Sequence, residues 1–153
     1  MAERTLIIIK PDGIQRHLAG EMIRRFERKG FKLIAAKFLH ISWEQAAILY
    51  SEHEGQPYYK GLLNYLSSSP SLLIVWEADD IIKTARKMIG STASREADLG
   101  TIRGDLCCAP GYNLVHGSDS PESAQKEIDL FFTPDEMVDY EYNDSQWLYG
   151  SNI

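Results

Sequence analysis

Short apolar runs alternate with amphipathic stretches over the first part of the chain. The β-branched run TLIIIK at residues 5–10 predicts a fully buried strand. Residues 20–29 place their apolar side chains on one helical stripe, and Gly30 ends that stripe as it ends many helices. Residues 31–41 predict a second strand, and the break in its alternation at Lys37 predicts a β-bulge there.

The middle of the chain predicts two helices, a strand and a further helix. Ser42 followed by Gln45 is a capping-box pattern, which indicates where the first of these helices begins. A leucine-rich helix follows the turn at residues 55–57, and residues 72–76 predict the third strand. Residues 79–90 begin with two aspartates and end with glycine, which is typical of a helix.

The last part of the chain contains one long stretch without a pattern. Residues 91–112 show neither helical nor strand periodicity, whereas residues 113–116 (NLVH) predict a fourth strand. Ser120, which a proline follows, begins a helix that runs to about Phe132.

The order of these elements, β-α-β-(αα)-β-α-β-α, predicts an α/β (α+β) fold class. We expect a ferredoxin-like four-stranded antiparallel sheet with helices packed on one face, in βαββαβ order with a helical insert. No repeat or interdomain linker interrupts the sequence, so a single domain over residues 1–153 is expected.

Composition is that of a globular protein from a reducing compartment. Of the 153 residues, 44% are hydrophobic and 25% are charged, close to the average for soluble domains. The first apolar run, residues 6–9, is too short for a signal peptide or a membrane span. Cys107 and Cys108 are adjacent and cannot build a disulfide scaffold. A cytoplasmic location without a membrane partner is expected.

Acidic charge argues against nucleic acid as the main partner. The net charge is −6, and residues 121–153 alone carry one Lys/Arg against eight Asp/Glu. Binding to a nucleic acid backbone requires a basic surface. Residues 1–40 do carry nine Lys/Arg against four Asp/Glu, so a few basic side chains can converge on a small phosphate ligand.

Four polar residues occupy positions where the pattern calls for something else. Lys10 ends a buried strand, Arg86 sits beside the apolar stripe of its helix, and Glu127 shares a helix face with apolar residues. His116 precedes a Gly-Ser-Asp turn that exposes its side chain. Each has a structural alternative, because long cations snorkel and a lone histidine is usually structural. Together, two cations, one carboxylate and one histidine fit a phosphoryl-transfer site.

The unpatterned stretch adds Arg103 to this set. Connections longer than about 15 residues are usually functional or disordered, and glycines at 100, 104 and 111 allow the backbone to approach a ligand. The sequence contains no GxxxxGK[ST] or GxGxxG loop. A phosphotransferase without such loops must hold its triphosphate with side chains and can use an enzyme nucleophile. His116 suits that role, with Glu127 holding its second ring nitrogen.

Three segments carry a specific resemblance: ERTLIIIKPDG at residues 3–13, GTIRGD at 100–105 and NLVHGSDSPESAQKEI at 113–128. They resemble the nucleoside diphosphate kinase family over nearly the whole chain. The resemblance implies a ferredoxin-like fold and a ping-pong transfer of the γ-phosphate from a nucleoside triphosphate, mainly ATP, to a nucleoside diphosphate. His116 would carry the phosphoryl group, and Glu127 and Ser118 would orient it.

The resemblance also implies the remaining site residues and the cofactor. Tyr50 would lie near the reacting groups, and Asn113 and Lys10 would reach the sugar hydroxyls. Tyr58 would stack on the base. The nucleotide-binding set would be Lys10, Tyr58, Arg86, Thr92, Arg103 and Asn113. Mg²⁺ would bridge the phosphates without a firm protein ligand, although Asp119 could reach it through water.

Some segments depart from the family pattern. Tyr58 stands where members commonly have Phe, so its hydroxyl needs a partner or water. The stretch GSTASREADLG lacks the expected prolines, and CCAPGYN differs from the usual residues before the histidine. Members usually form hexamers or tetramers, and a homo-oligomer, with a hexamer favoured, is expected. The segment 147–149 could pack either on a neighbouring subunit or on its own chain.

Two other functions share part of this pattern. A phosphohistidine protein that passes its phosphoryl group to proteins would use His116 without a platform for the base. A ferredoxin-like regulatory module would bind nucleotide without turnover. A module that only binds needs no nucleophile, so the combination of Lys10, Arg86, Arg103, His116 and Glu127 disfavours it.

Overall fold

A four-stranded antiparallel sheet forms the centre of the molecule in the computed structural model, which describes residues 2–150. Its strands are β1 (Ala2–Ile9), β2 (Lys32–Leu39), β3 (Ser71–Asp79) and β4 (Val115–Gly117). The spatial order is β2-β3-β1-β4, and every neighbouring pair is antiparallel. This confirms the expected four-stranded antiparallel sheet of a ferredoxin-like fold.

Helices fill the connections, and each helix that the sequence predicted is present. Ser42 and Gln45 form the capping box at the start of the third helix, and Ser120 caps the seventh. The helices are α1 (Pro11–Gln15), α2 (Ala19–Lys29), α3 (Trp43–Leu49), α4 (Tyr59–Leu66), α5 (Ile81–Ile89), α6 (Ile102–Leu106), α7 (Pro121–Phe131) and α8 (Ser145–Tyr149).

Helices cover both faces of the sheet, so the expectation of helices on one face was wrong. Ile7 and Ile9 of β1 point into a core with Phe26 of α2 and residues of α5. Leu6 and Ile8 point the other way, into a second core built with α3, α4 and α7. All four β1 side chains are fully buried, which is why this strand reads as a continuous apolar run rather than an alternation.

The irregularity of β2 lies earlier than the sequence suggested. The register against β3 shifts between Leu33 and Ala35, whereas Lys37 pairs regularly with Leu73. Lys37 instead donates from Nζ to the backbone oxygen of Phe131 at 2.8 Å and forms an ion pair with Glu136 at 2.7 Å. A lysine interrupts the apolar pattern because it joins β2 to the end of α7.

The stretch 91–112 is ordered by short elements that are too brief to show a period. It contains a 3₁₀ turn at Ser94–Glu96 and helix α6, which Thr101 caps. Arg25 of α2 donates to Asp105 at 2.8 Å and holds α6 against the body of the domain. The five-residue helix α1 was missed for the same reason, since five residues cannot define an amphipathic stripe.

The last described residues return to their own chain. Leu148 packs so closely on Gly30 that a side-chain carbon at that glycine would lie 2.8 Å from it. Trp147 remains 81% exposed. Within residues 2–150, no helix has the length and apolar character needed to cross a bilayer.

Candidate active site

A cleft of about 1350 Å³ opens beside the ends of β1 and β4. Its walls come from the α3–α4 region, from α7 and from the segment before β4. Every predicted site residue except Ser118 lines it. These residues are Lys10, Tyr50, Tyr58, Arg86, Thr92, Arg103, Asn113, His116 and Glu127.

His116 lies in β4, opposite Ile8 of the central strand. Its Nε2 forms a short hydrogen bond with the Glu127 carboxylate, which approaches from α7. A carboxylate accepts this bond, so in the neutral imidazole the ring proton is on Nε2 and the lone pair is on Nδ1. Among residues 2–150, no group forms a hydrogen bond with Nδ1. The imidazole therefore has one fixed nitrogen and one nitrogen available as a nucleophile.

Ser118 fixes the carboxylate from behind the cleft. It is fully buried, and its Oγ accepts a hydrogen bond from the backbone nitrogen of Leu6 at 3.2 Å. The same hydroxyl donates to Glu127 at 3.1 Å. The backbone of β1 thus orients Ser118, Ser118 orients Glu127, and Glu127 orients His116.

The Lys10 side chain ends in an amine at the cleft, and only 4% of the residue's surface is exposed. Its Nζ donates to the Asn113 side-chain oxygen at 2.8 Å and lies 5.8 Å and 5.3 Å from the ring centres of Tyr50 and Tyr65. Burial, and secondarily the neighbouring Arg103, lowers the pKa of Lys10 to about 7. An anion in the cleft would favour the charged form of this side chain.

Arg103 and Arg86 bring two further cations to the same wall. The Arg103 guanidinium donates to the backbone oxygens of Asn113, Gly90 and Val115, at 3.2, 3.1 and 2.7 Å. Burial and the nearby Arg86 lower the pKa of Arg103.

Neither arginine has a carboxylate partner within the part of the chain that the structure describes. Arg86 donates to the backbone oxygen of Gly117 at 3.1 Å, beside the histidine. Two adjacent cations that bond only to neutral oxygens form a site for an anion.

Tyr58 lines the same cleft, with 51% of its surface exposed. The sequence left open what its hydroxyl bonds to. The structure gives His53 as that partner, with 2.8 Å between Nδ1 and the hydroxyl. A large aromatic face in a cleft that is also lined by Lys10, Arg86 and Arg103 can stack on a nucleobase of any identity.

Besides His53, sequence reasoning missed Tyr65, which lines the cleft, and its partner Asp12. Tyr65 donates a short hydrogen bond to Asp12, and the other Asp12 oxygen accepts from the backbone nitrogen of Leu114 at 3.1 Å. Burial and Asp12 raise the pKa of Tyr65. Asp12 follows the strand-end lysine in the KPDG segment, so its position was a usable signal. Tyr65 gave none, because its partners lie about 50 residues away in sequence.

Comparison with known proteins decides the family. The sequence model described as nucleoside diphosphate kinase matches residues 3–137. This chain belongs to the nucleoside diphosphate kinase family. As a member it is a phosphotransferase, and the cleft with its three cations and histidine has the chemistry which that activity requires.

Relatives from distant organisms match over almost their entire length. The chain is 50% identical over 147 residues to the nucleoside diphosphate kinase of Carboxydothermus hydrogenoformans, covering 96% of this chain and 99% of the relative. The Gallus gallus enzyme is also 50% identical, with 96% of each chain covered. Among solved structures, a halophilic nucleoside diphosphate kinase from Halobacterium salinarum, in complex with CDP, has a TM-score of 0.95 at 42% identity. That match covers 97% of this chain and 99% of the other.

Proposed function

We propose that His116 takes the γ-phosphoryl group from a nucleoside triphosphate, mainly ATP, and passes it to a nucleoside diphosphate in a ping-pong reaction. The observation that carries this proposal is the orientation of the imidazole. Glu127 holds Nε2, and Nδ1 is left without a partner among the described residues, in the cleft shared by Lys10, Arg86 and Arg103.

In the first half-reaction, the lone pair of Nδ1 attacks the γ-phosphorus of the triphosphate. The bond between this phosphorus and the β–γ bridging oxygen breaks, and the nucleoside diphosphate leaves with that oxygen. The ring gains positive character as the N–P bond forms, and the Glu127 carboxylate stabilises it through Nε2–H. The second half-reaction reverses these steps with a different diphosphate.

The cations supply most of the stabilisation of the transition state. Negative charge spreads over the phosphoryl oxygens during transfer, and positioned cations in a site shielded from water stabilise it strongly. We assign Lys10, Arg86 and Arg103 to the phosphates, with Thr92 as a hydroxyl donor at the same wall. Tyr50, whose hydroxyl is buried without a hydrogen-bond partner in the described residues, is assigned to the reacting groups.

The nucleoside part of the substrate is assigned to Asn113, Lys10 and Tyr58, which line the same cleft. Asn113 and Lys10 bond to each other and are assigned to the sugar hydroxyls. The ring of Tyr58 is assigned to the base, where stacking tolerates any base because every base presents a π-face. The CDP of the halophilic relative's complex supports a nucleotide in this cleft.

Magnesium is the proposed cofactor, and the residues of the cleft fit it. Residues 2–150 contain no cluster of three or more His, Cys, Asp or Glu that could enclose a metal ion. Mg²⁺ does not need such a cluster, because it commonly binds through one carboxylate, waters and substrate phosphates. Asp119 lines the cleft and can serve as that carboxylate through water. When bound, the ion neutralises part of the charge on the phosphates.

Three further expectations belong to the proposal. We propose that residues 1–153 form one domain, that the domain assembles into a homo-oligomer, with a hexamer favoured over a tetramer, and that it acts in the cytoplasm. Support for association comes from large apolar side chains that stay exposed, among them Phe38, Leu99 and Trp147.

Labelling with γ-³²P-ATP tests the proposal. The chain is expected to become a phosphoprotein whose label is lost in acid and is discharged by added nucleoside diphosphate. His116→Ala should abolish labelling while ADP still binds, because the cations and Tyr58 remain. His17→Asn, at an exposed histidine outside the cleft, is the matched control and should label normally.

Two outcomes would contradict the proposal. An acid-stable label would place the phosphoryl group on a hydroxyl rather than on the imidazole. A histidine-bound label that nucleoside diphosphates cannot discharge would favour the phosphohistidine protein that transfers to other proteins.

A further inference from the structure

A local turn brings the His53 imidazole to the Tyr58 hydroxyl. His53 ends the 3₁₀ turn Ser51–His53, and its backbone oxygen accepts from Gln56 nitrogen at 3.0 Å. Gly55 closes this turn with a φ of 88°, a conformation that glycine adopts without strain. Across this turn, His53 Nδ1 and the Tyr58 hydroxyl form a hydrogen bond of 2.8 Å.

The same imidazole also packs against a ring inside the site. His53 lies edge-on to Tyr50, with 6.0 Å between ring centres, and edge-on to Tyr58, at 5.5 Å. Tyr50 is 8% exposed, and the Lys10 ammonium lies 5.8 Å from the centre of its ring. His53 thus joins the buried ring of Tyr50, which lies beside Lys10, to the half-exposed ring of Tyr58.

We propose that His53 is a positioning residue that holds the Tyr58 ring in the orientation in which a nucleobase stacks on it. The inference rests on the proposed function and adds a determinant of nucleotide affinity. A half-exposed tyrosine samples several rotamers, and this freedom is lost when a base binds. A hydrogen bond that fixes the ring before the base binds reduces this loss of conformational entropy. A phenylalanine at position 58 could not make this bond, so the coupling depends on the tyrosine of this chain.

A double-mutant cycle on the full chain tests the pair. The dissociation constant for ADP is measured by calorimetry for the unaltered chain, His53→Ala, Tyr58→Phe and the double variant. His53→Ala should weaken ADP binding about three- to tenfold when Tyr58 is present, the range for one exposed hydrogen bond and one ordered ring. In the Tyr58→Phe background, His53→Ala should change the dissociation constant for ADP less than about twofold. Equal losses in both backgrounds, or no loss, would overturn the proposal.

Two variants separate positioning from a general loss of structure. His53→Asn keeps a hydrogen-bonding atom near the place of Nδ1 and should restore most of the affinity, whereas His53→Ala should not. In steady-state kinetics the effect should appear in KM for the nucleotide, with kcat unchanged, because the reacting groups are not altered. A fall in kcat without a change in KM would contradict a role at the base.

A spectroscopic measurement needs no nucleotide. The ring ¹⁵N shifts of His53 should change in Tyr58→Phe, because the hydroxyl helps to set the tautomer, and they should stay constant in the control His17→Asn. Unchanged His53 shifts would refute the bond itself. Failure of the unaltered chain to form an acid-labile phosphoprotein would instead refute the proposed function, so the two results are distinguishable.

Discussion

The ammonium of Lys10 lies in surroundings that favour its uncharged form. It is buried at the end of β1, it bonds to an amide oxygen rather than a carboxylate, and Arg103 is close by. These surroundings bring its pKa from the ordinary 10.5 to about 7. The phosphates of a bound nucleotide would add negative charge beside the amine, and this charge opposes the effect of burial and raises the pKa of Lys10 again.

Proton uptake on binding is the expected consequence. At pH 8 the amine of the free protein is mostly neutral, so ADP binding should take up about one proton per site at most. Calorimetry at pH 8 in buffers of different ionisation enthalpy measures this number. Lys10→Gln should remove most of the uptake, and Lys83→Gln, on α5 and outside the cleft, should not. Equal uptake in the Lys10→Gln variant would show that another group titrates.

At the scale of residues, the sequence shows which side chains are out of place but not which side chains hold them. Lys10, Arg86, Glu127 and His116 could be predicted because each breaks an apolar pattern. The Tyr58 partner could not, because a histidine in a polar turn breaks no pattern. The contact between His53 and Tyr58 depends on the fold, and the spacing of residues in the sequence does not show it.

At the scale of elements, the segment just before β4 is bonded to the end of β1 and contains a residue with a strained backbone conformation. Leu114 is fully buried and has a φ of 68°, in the left-handed region that leucine rarely adopts. Its backbone oxygen accepts from Lys10 nitrogen at 2.8 Å, and its backbone nitrogen donates to Asp12. These bonds hold the conformation, which places His116 two residues later at the cleft.

Removing the carboxylate should release this segment. Asp12→Ala leaves the buried Leu114 nitrogen without its partner, and we expect the free energy of unfolding to fall by about 1–3 kcal/mol. Turnover should fall as well, because the segment leading to His116 is no longer fixed. Urea unfolding and a coupled assay measure both effects.

The matched control for this substitution is Gln15→Ala. Gln15 lies in α1, as Asp12 does, and its loss removes only an exposed hydrogen bond to Ser69. The free energy of unfolding and the turnover should both change little. If Asp12→Ala retained full stability, the two bonds to Asp12 would contribute nothing to the strained segment.

Element types could be predicted and their details could not. The hydrophobic period, the capping residues and the terminal glycines predict the long helices and the strands. The short helices α1 and α6 show no period, and the bulge lies between Leu33 and Ala35 because lysine spacing is a poor marker of register. Helices on both faces were missed because a fully buried strand reads the same wherever its covering elements lie.

At the scale of the whole molecule, β2 forms one edge of the sheet and exposes an aromatic ring. Phe38 is 63% exposed on this edge strand. An exposed edge with an aromatic side chain is a favourable surface for association with a second copy. The C-terminal segment covers only the other half of this edge, through the bond from Tyr140 to the Leu33 oxygen.

Light scattering after gel filtration tests this surface. The unaltered chain should elute as a homo-oligomer, with the mass of a hexamer expected, and Phe38→Asp should reduce the assembly because it places a charge in the contact. Phe38→Tyr keeps the ring and should preserve the assembly. A monomeric unaltered chain, or an intact oligomer in Phe38→Asp, would contradict this role for the edge.

The arrangement of the cations around one histidine has a kinetic consequence. In the proposed reaction, triphosphate and diphosphate use the same Lys10, Arg86 and Arg103, so they would not occupy the site together. An acceptor present in excess therefore also captures the unphosphorylated enzyme, where it finds no phosphoryl group to receive. Turnover should pass through a maximum as the acceptor concentration rises, and a higher donor concentration should relieve this substrate inhibition.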